Sequence, residues 1–133
     1  MELTRKGEYA IRAMQYLAQQ PEGSITLITD IAKASAAPRN FTGKILQGLA
    51  KSRLVKSYRG TRGGFALARP AKDITMRQLV EAMEGPIMPN RCLMAKGACR
   101  RDTTCPVHPI WRKVQGEVIR ILDKATLADL AKT

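Results

Sequence analysis

Apolar residues recur at helical steps along much of the chain, and the interruptions between them divide it into short elements. Ala10, Ala13, Met14 and Leu17 share one face of a predicted helix from Thr4 to Gln19, with Thr4 as its N-cap. Pro21-Glu22-Gly23-Ser24 ends that helix. Ile25-Thr26-Leu27 reads as a short extended piece, and Thr29 as the cap of a short helix through Ile31, Ala32 and Ala34. Pro38 suits the first position of a third helix. There Phe41, Ile45 and Leu49, with Leu46 beside them, form an inward stripe. The opposite face offers Arg39, Asn40, Gly43, Lys44, Gln47 and Lys51, a surface of donors and small residues.

Beyond the third helix the period changes. Leu54-Val55-Lys56-Ser57-Tyr58 and Phe65-Ala66-Leu67-Ala68 read as two strands around Arg59-Gly60-Thr61-Arg62-Gly63-Gly64. The three glycines there are expected to open backbone angles closed to other residues. Asp73 or Thr75 can cap a further helix ending at Met83, with Leu79, Val80 and Met83 apolar. Residues 85–108 show no period and are rich in Gly, Pro, Cys and basic residues. A loop of that length in a small domain needs function or a metal to organise it. The last long helix is predicted from Pro109 to Lys124, and Thr126 caps a final turn through Leu127 and Leu130.

This order predicts a mainly α fold with a small β-hairpin wing: a winged helix-turn-helix followed by a long C-terminal dimerisation helix. The expected division is 1–84 for the winged body, 85–108 for a cysteine loop and 109–133 for the terminal helix and turn. Ile110, Trp111, Val114, Val118, Ile121 and Leu122 give the long helix a stripe too apolar to stand alone. Pairing with a second copy suits it, because DNA readers of this size gain affinity from two half-sites.

Charge sharpens the picture. Lys and Arg number 23 against 11 Asp and Glu, a net charge of +12. Lys33, Arg39, Lys44, Lys51, Arg53, Lys56, Arg59, Arg62, Arg69 and Lys72 follow one another with no acidic residue between them. Such a block produces a coherent positive field that attracts a polyanion. Double-stranded DNA is the expected partner. Arg39, Asn40, Thr42, Gly43, Lys44 and Gln47 are candidates for the major groove, and Arg59, Arg62 and Gly63 for the wing contact. Arg5, Lys51 and Lys56 are candidates for phosphate contacts, which position without specifying. No secretory signal or membrane-length apolar run is found, so a cytoplasmic protein with no membrane partner is expected.

Three cysteines, an odd number confined to one stretch, point to metal or redox chemistry rather than a disulfide framework. Their spacing is Cys92-x6-Cys99-x5-Cys105-x2-His108. Soft sulfur donors in a flexible loop select zinc, copper(I) or an iron–sulfur cluster. The spacings lack the tight C-x2-C knuckle of many zinc sites and suit a larger object. Structural zinc on the same four side chains, a redox disulfide, and His108 as a mere cap are the competing readings.

Together the opening Leu3-Thr4-Arg5-Lys6-Gly7-Glu8-Tyr9-Ala10, the wing Arg59-Gly60-Thr61-Arg62-Gly63-Gly64-Phe65 and Cys105-Pro106-Val107-His108-Pro109-Ile110-Trp111 resemble the IscR/NsrR/RirA-type winged-helix transcriptional regulators over nearly the whole chain. The resemblance implies a homodimer with crossed C-terminal helices and a 2Fe–2S or 4Fe–4S cluster on Cys92, Cys99 and Cys105. It also implies that cluster state switches binding to palindromic promoter DNA, as in a repressor. His108 matches one fourth ligand used in the family, and Glu8, offered by the partner subunit, matches another. Gly43 stands where IscR-like proteins carry a glutamate, so their two-motif selectivity does not transfer.

A zinc-bearing repressor and a thiol-based redox or cluster-transfer protein are the other classes. Against an enzyme, the cysteines have no neighbouring general base except His108, and neither G-x-G-x-x-G nor a P-loop occurs. No small-molecule substrate is expected.

Overall fold

The computed structural model describes residues 3–90, 93 and 104–132. Its first helix, α1 (Arg5–Gln19), starts as expected at Thr4, whose hydroxyl accepts from the Gly7 N–H. The same hydroxyl donates to Glu84, and the Thr4 N–H donates to that carboxylate at 3.2 Å. The chain start is thereby tied to a residue 80 positions later.

Helix α2 (Ile28–Ser35) begins earlier than the Thr29 cap would allow. Leu27 is its N-cap, and the Leu27 carbonyl accepts from Asp30 and Ile31, so Thr29 lies inside the first turn with no capping role. The helix ends at Ala36 in a left-handed conformation (φ 55). Helix α3 (Arg39–Lys51) likewise has Pro38 at its N-cap, one position before the expected place.

The wing consists of β1 (Val55–Tyr58) and β2 (Gly64–Leu67), antiparallel with Val55 opposite Leu67 and Tyr58 opposite Gly64. A third segment joins it. Thr26 exchanges both backbone hydrogen bonds with Phe65, at 2.8 and 2.9 Å, so the extended piece before α2 becomes an outer rung of the wing. This corrects the reading of the glycines. Only Gly60 has a positive φ (102). A Cβ on Gly64 would strike the Thr26 carbonyl, and one on Gly63 would strike the Tyr58 carbonyl. Those two are glycines because backbones approach closely there, not because the turn needs their angles.

After a 3-10 turn (Ala71–Asp73) comes α4 (Met76–Glu84), opened by a Thr75/Gln78 capping box and closed at Gly85 (φ 79). Helix α5 (His108–Lys124) starts one residue before the expected Pro109. Helix α6 (Leu127–Ala131) has a second capping box, Thr126/Asp129.

The core joins Met14 and Leu17 of α1, Ile31 of α2, Leu46 and Leu49 of α3, Phe65 of β2, Leu79 of α4 and Leu127 of α6. The terminal turn therefore shares the core of the winged body. Backbone bonds from Met76 to Ala125 and from Leu127 to Ile74, both 2.8 Å, fasten it there. Helix α5 leaves that core and returns.

Candidate nucleic-acid interface and cysteine–histidine site

Helix α3 carries two faces fixed by its sequence. Ile45, Leu46 and Leu49 are buried, whereas Arg39, Asn40, Lys44, Gln47 and Lys51 are exposed and Gly43 is partly exposed. Two expectations exchange places. Thr42 is 1% exposed and its hydroxyl donates to the Pro38 carbonyl at 2.9 Å, so it seals the helix start and is not on the outer face. Phe41, expected in the inward stripe, is 37% exposed. Its ring meets the edge of Tyr9 in α1, 5.6 Å between centroids and 83° between planes. Tyr9 in turn lies under the Arg12 guanidinium at 5.8 Å.

All ten basic residues from Lys33 to Lys72 are exposed. Among the described residues, the ion pairs join Arg77 to Glu81 and Asp123, and Arg120 to Glu117. None draws on the basic block, although Arg69 donates to Gln78 at 3.1 Å. Arg59, Arg62 and Lys56 project from the wing, Gly63 is partly exposed in its turn, and Arg5 is exposed at the first position of α1. Within the chain the acidic residues flank the block, so its field is left to an external anion.

The second cluster stands at the start of α5. Cys105 is half-buried, and its carbonyl accepts from the His108 N–H at 3.2 Å, closing a turn that brings the two residues together. His108 is 8% exposed and is the only buried residue of α5 among the described residues. Its Nδ1 is buried without a hydrogen-bond partner among the described residues, and its Nε2 accepts from Arg112 Nε at 3.2 Å. Arg112 was missed in the sequence, although its i+4 spacing from His108 was a usable signal. Cys92 and Cys99 lie outside the described residues. Glu8 is exposed on the first turn of α1. Among the described residues, no three His, Cys, Asp or Glu side chains are grouped as a metal site.

Along the rest of α5 the proposed pairing residues are open. Ile110 and Ile121 are each 57% exposed, Val114 is exposed, and Trp111, Val118 and Leu122 are half-covered.

The Rrf2 family, described as iron-dependent transcriptional regulators, has a model that matches residues 3–133. The chain belongs to the Rrf2 family. It is 34% identical over 131 residues to an HTH-type transcriptional regulator of Mycobacterium tuberculosis, covering 98% of this chain and 81% of that one. The structure of CymR, the global cysteine regulator of B. subtilis, superposes with TM-score 0.79 at 28% identity, covering 99% of this chain and 97% of that chain. T. potens IscR does so with TM-score 0.78 at 28% identity, covering 99% and 87%. This Rrf2 chain is accordingly a DNA-binding winged-helix transcriptional regulator rather than an enzyme. No helix among its described residues is long and apolar enough to cross a membrane.

Proposed function

We propose that this Rrf2-family regulator is a cytoplasmic homodimer that binds palindromic promoter DNA, acts as a repressor and is switched by an iron–sulfur cluster. Cys92, Cys99 and Cys105 would hold the cluster, with His108 or the partner subunit's Glu8 as the fourth ligand. The observation that carries this reading is buried His108 at the head of α5, with Nδ1 unpaired. A buried polar atom without a partner is costly. Thiolates and an imidazole are a donor set for a soft metal centre, so the residues fit one. Bound there, the cluster would supply a redox- and iron-sensitive crosslink between the loop and α5.

His108 also couples the site to assembly. It opens the 17-residue helix whose Ile110, Val114 and Ile121 are exposed. Pro106 and Pro109 stiffen the junction on either side of it. A ligand change at His108 is therefore delivered to the proposed dimer helix, where a shift of a few ångströms would put two half-sites out of register (on the order of 34 Å apart).

The test is anaerobic purification with iron, sulfide and zinc quantified beside the visible spectrum, then DNA affinity of the loaded and stripped forms. Matched iron and sulfide with unequal affinities is the expected result. Equal affinities would sink the switch, and a colourless protein with stoichiometric zinc would leave a repressor with structural zinc.

A further inference from the structure

Arg112 sits one turn after His108 on α5, with its Nε–H donating to His108 Nε2 at 3.2 Å. A guanidinium has donors only, so the ring nitrogen facing it presents a lone pair. A neutral imidazole then carries its proton on Nδ1, the atom that is buried without a partner.

A metal takes one ring lone pair and leaves the other nitrogen as an N–H donor. If iron took Nε2, it would occupy the place of the Arg112 donor. If it took Nδ1, the proton would reside on Nε2 and face another donor. In either case the bond to Arg112 has to break.

We infer that Arg112 holds His108 in the cluster-free protein and must release it before His108 can ligate iron. This rests on the cluster reading and on His108 as its fourth ligand. Arg112 is a positioning residue in this scheme. It keeps the ring fixed at the head of α5, and its departure moves a cation one turn along that helix, which also carries exposed Ile110. Cluster gain and loss thereby acquire a mechanical consequence on the element proposed to join two subunits.

Removing Arg112 also removes a charge that favours an anionic cluster, so a single variant is ambiguous. Cluster loss to EDTA is therefore followed by visible absorbance in anaerobic wild type, Arg112→Met, His108→Ala and the double variant. Arg112→Met is expected to slow loss by roughly tenfold where His108 is present, the low end of outer-sphere effects, and to give no slowing in His108→Ala. The same change in both backgrounds overturns the inference. Nitrogen-15 NMR of the stripped protein tests the contact without a cluster: His108 should show an unprotonated Nε2, and a protonated one overturns the inference. Wild type without iron and sulfide removes the cluster reading itself, an outcome distinguished from loss of the contact by that same NMR spectrum.

Discussion

At the scale of single residues, Ala36 holds the turn between α2 and α3 in a conformation that L-residues avoid, with φ 55. The turn is secured by the Ala36 N–H to Lys33 and the Ala37 N–H to Ala32, at 3.2 and 3.1 Å. The left-handed form costs a non-glycine residue about 1–2 kcal/mol, while glycine adds flexibility to the unfolded chain. Ala36→Gly is expected to stabilise the fold by about 0.5–1 kcal/mol net, read from the urea midpoint. Nothing in an alanine's identity announces such an angle, which is why the turn was legible from Pro38 but its strain was not. The glycines at positions 63 and 64 were misread for the same reason, since a close approach depends on the distant Thr26 and Tyr58 backbones. Arg62 is exposed in the wing turn, where the hairpin pattern puts it. Arg62→Ala should weaken operator binding by about 1–3 kcal/mol in a titration at fixed salt, leaving the visible spectrum unchanged. Loss of the spectrum instead would place that side chain at the wrong site.

At the scale of elements, the sequence pattern located each α-helix among the described residues, and errors fell at the ends, where one backbone bond decides the boundary. Caps whose threonine hydroxyl accepts from the N–H three residues on were the readable ones. Thr126 and Asp129 form such a pair, the carboxylate accepting from the Thr126 N–H at 3.0 Å. That bond first, and the Thr126 side chain second, hold the Asp129 carboxyl below its ordinary pKa of 3.8. Because the folded value is the lower one, the contribution is present above the unfolded pKa and is lost as pH falls through the folded value. An NMR titration of the Thr126 amide should therefore have a midpoint below 3.8, and the step should vanish in Asp129→Asn. A midpoint at or above 3.8 would show a free carboxylate.

At the scale of the whole molecule, the core draws on every α-helix among the described residues except α5. That helix is held at its middle and at its C-terminal end: the Gln115 amide donates to the Ile87 carbonyl at 2.8 Å, Arg77 reaches Asp123 at 3.0 Å, and α6 docks Leu127 in the core. The sequence showed the apolar stripe of α5 but not this docking, because five residues carry too little pattern to reveal where they pack. With its middle and C-terminal end held, the helix keeps Ile110, Val114 and Ile121 exposed, and a second copy is the proposed cover. In a two-fold interface Ile121 would be buried twice. Ile121→Asp should then remove about 3–6 kcal/mol, or roughly 10² to 10⁴ in the dimer constant. Sedimentation would read this as a shift to monomer at micromolar concentration, while helical circular dichroism stays intact because Ile121 lies outside the core. Palindromic DNA should be bound far more weakly by the variant than a single half-site comparison would suggest, since the second site no longer binds intramolecularly. A variant that remains dimeric would assign the stripe to some other partner and leave the two-half-site reading without its structural support.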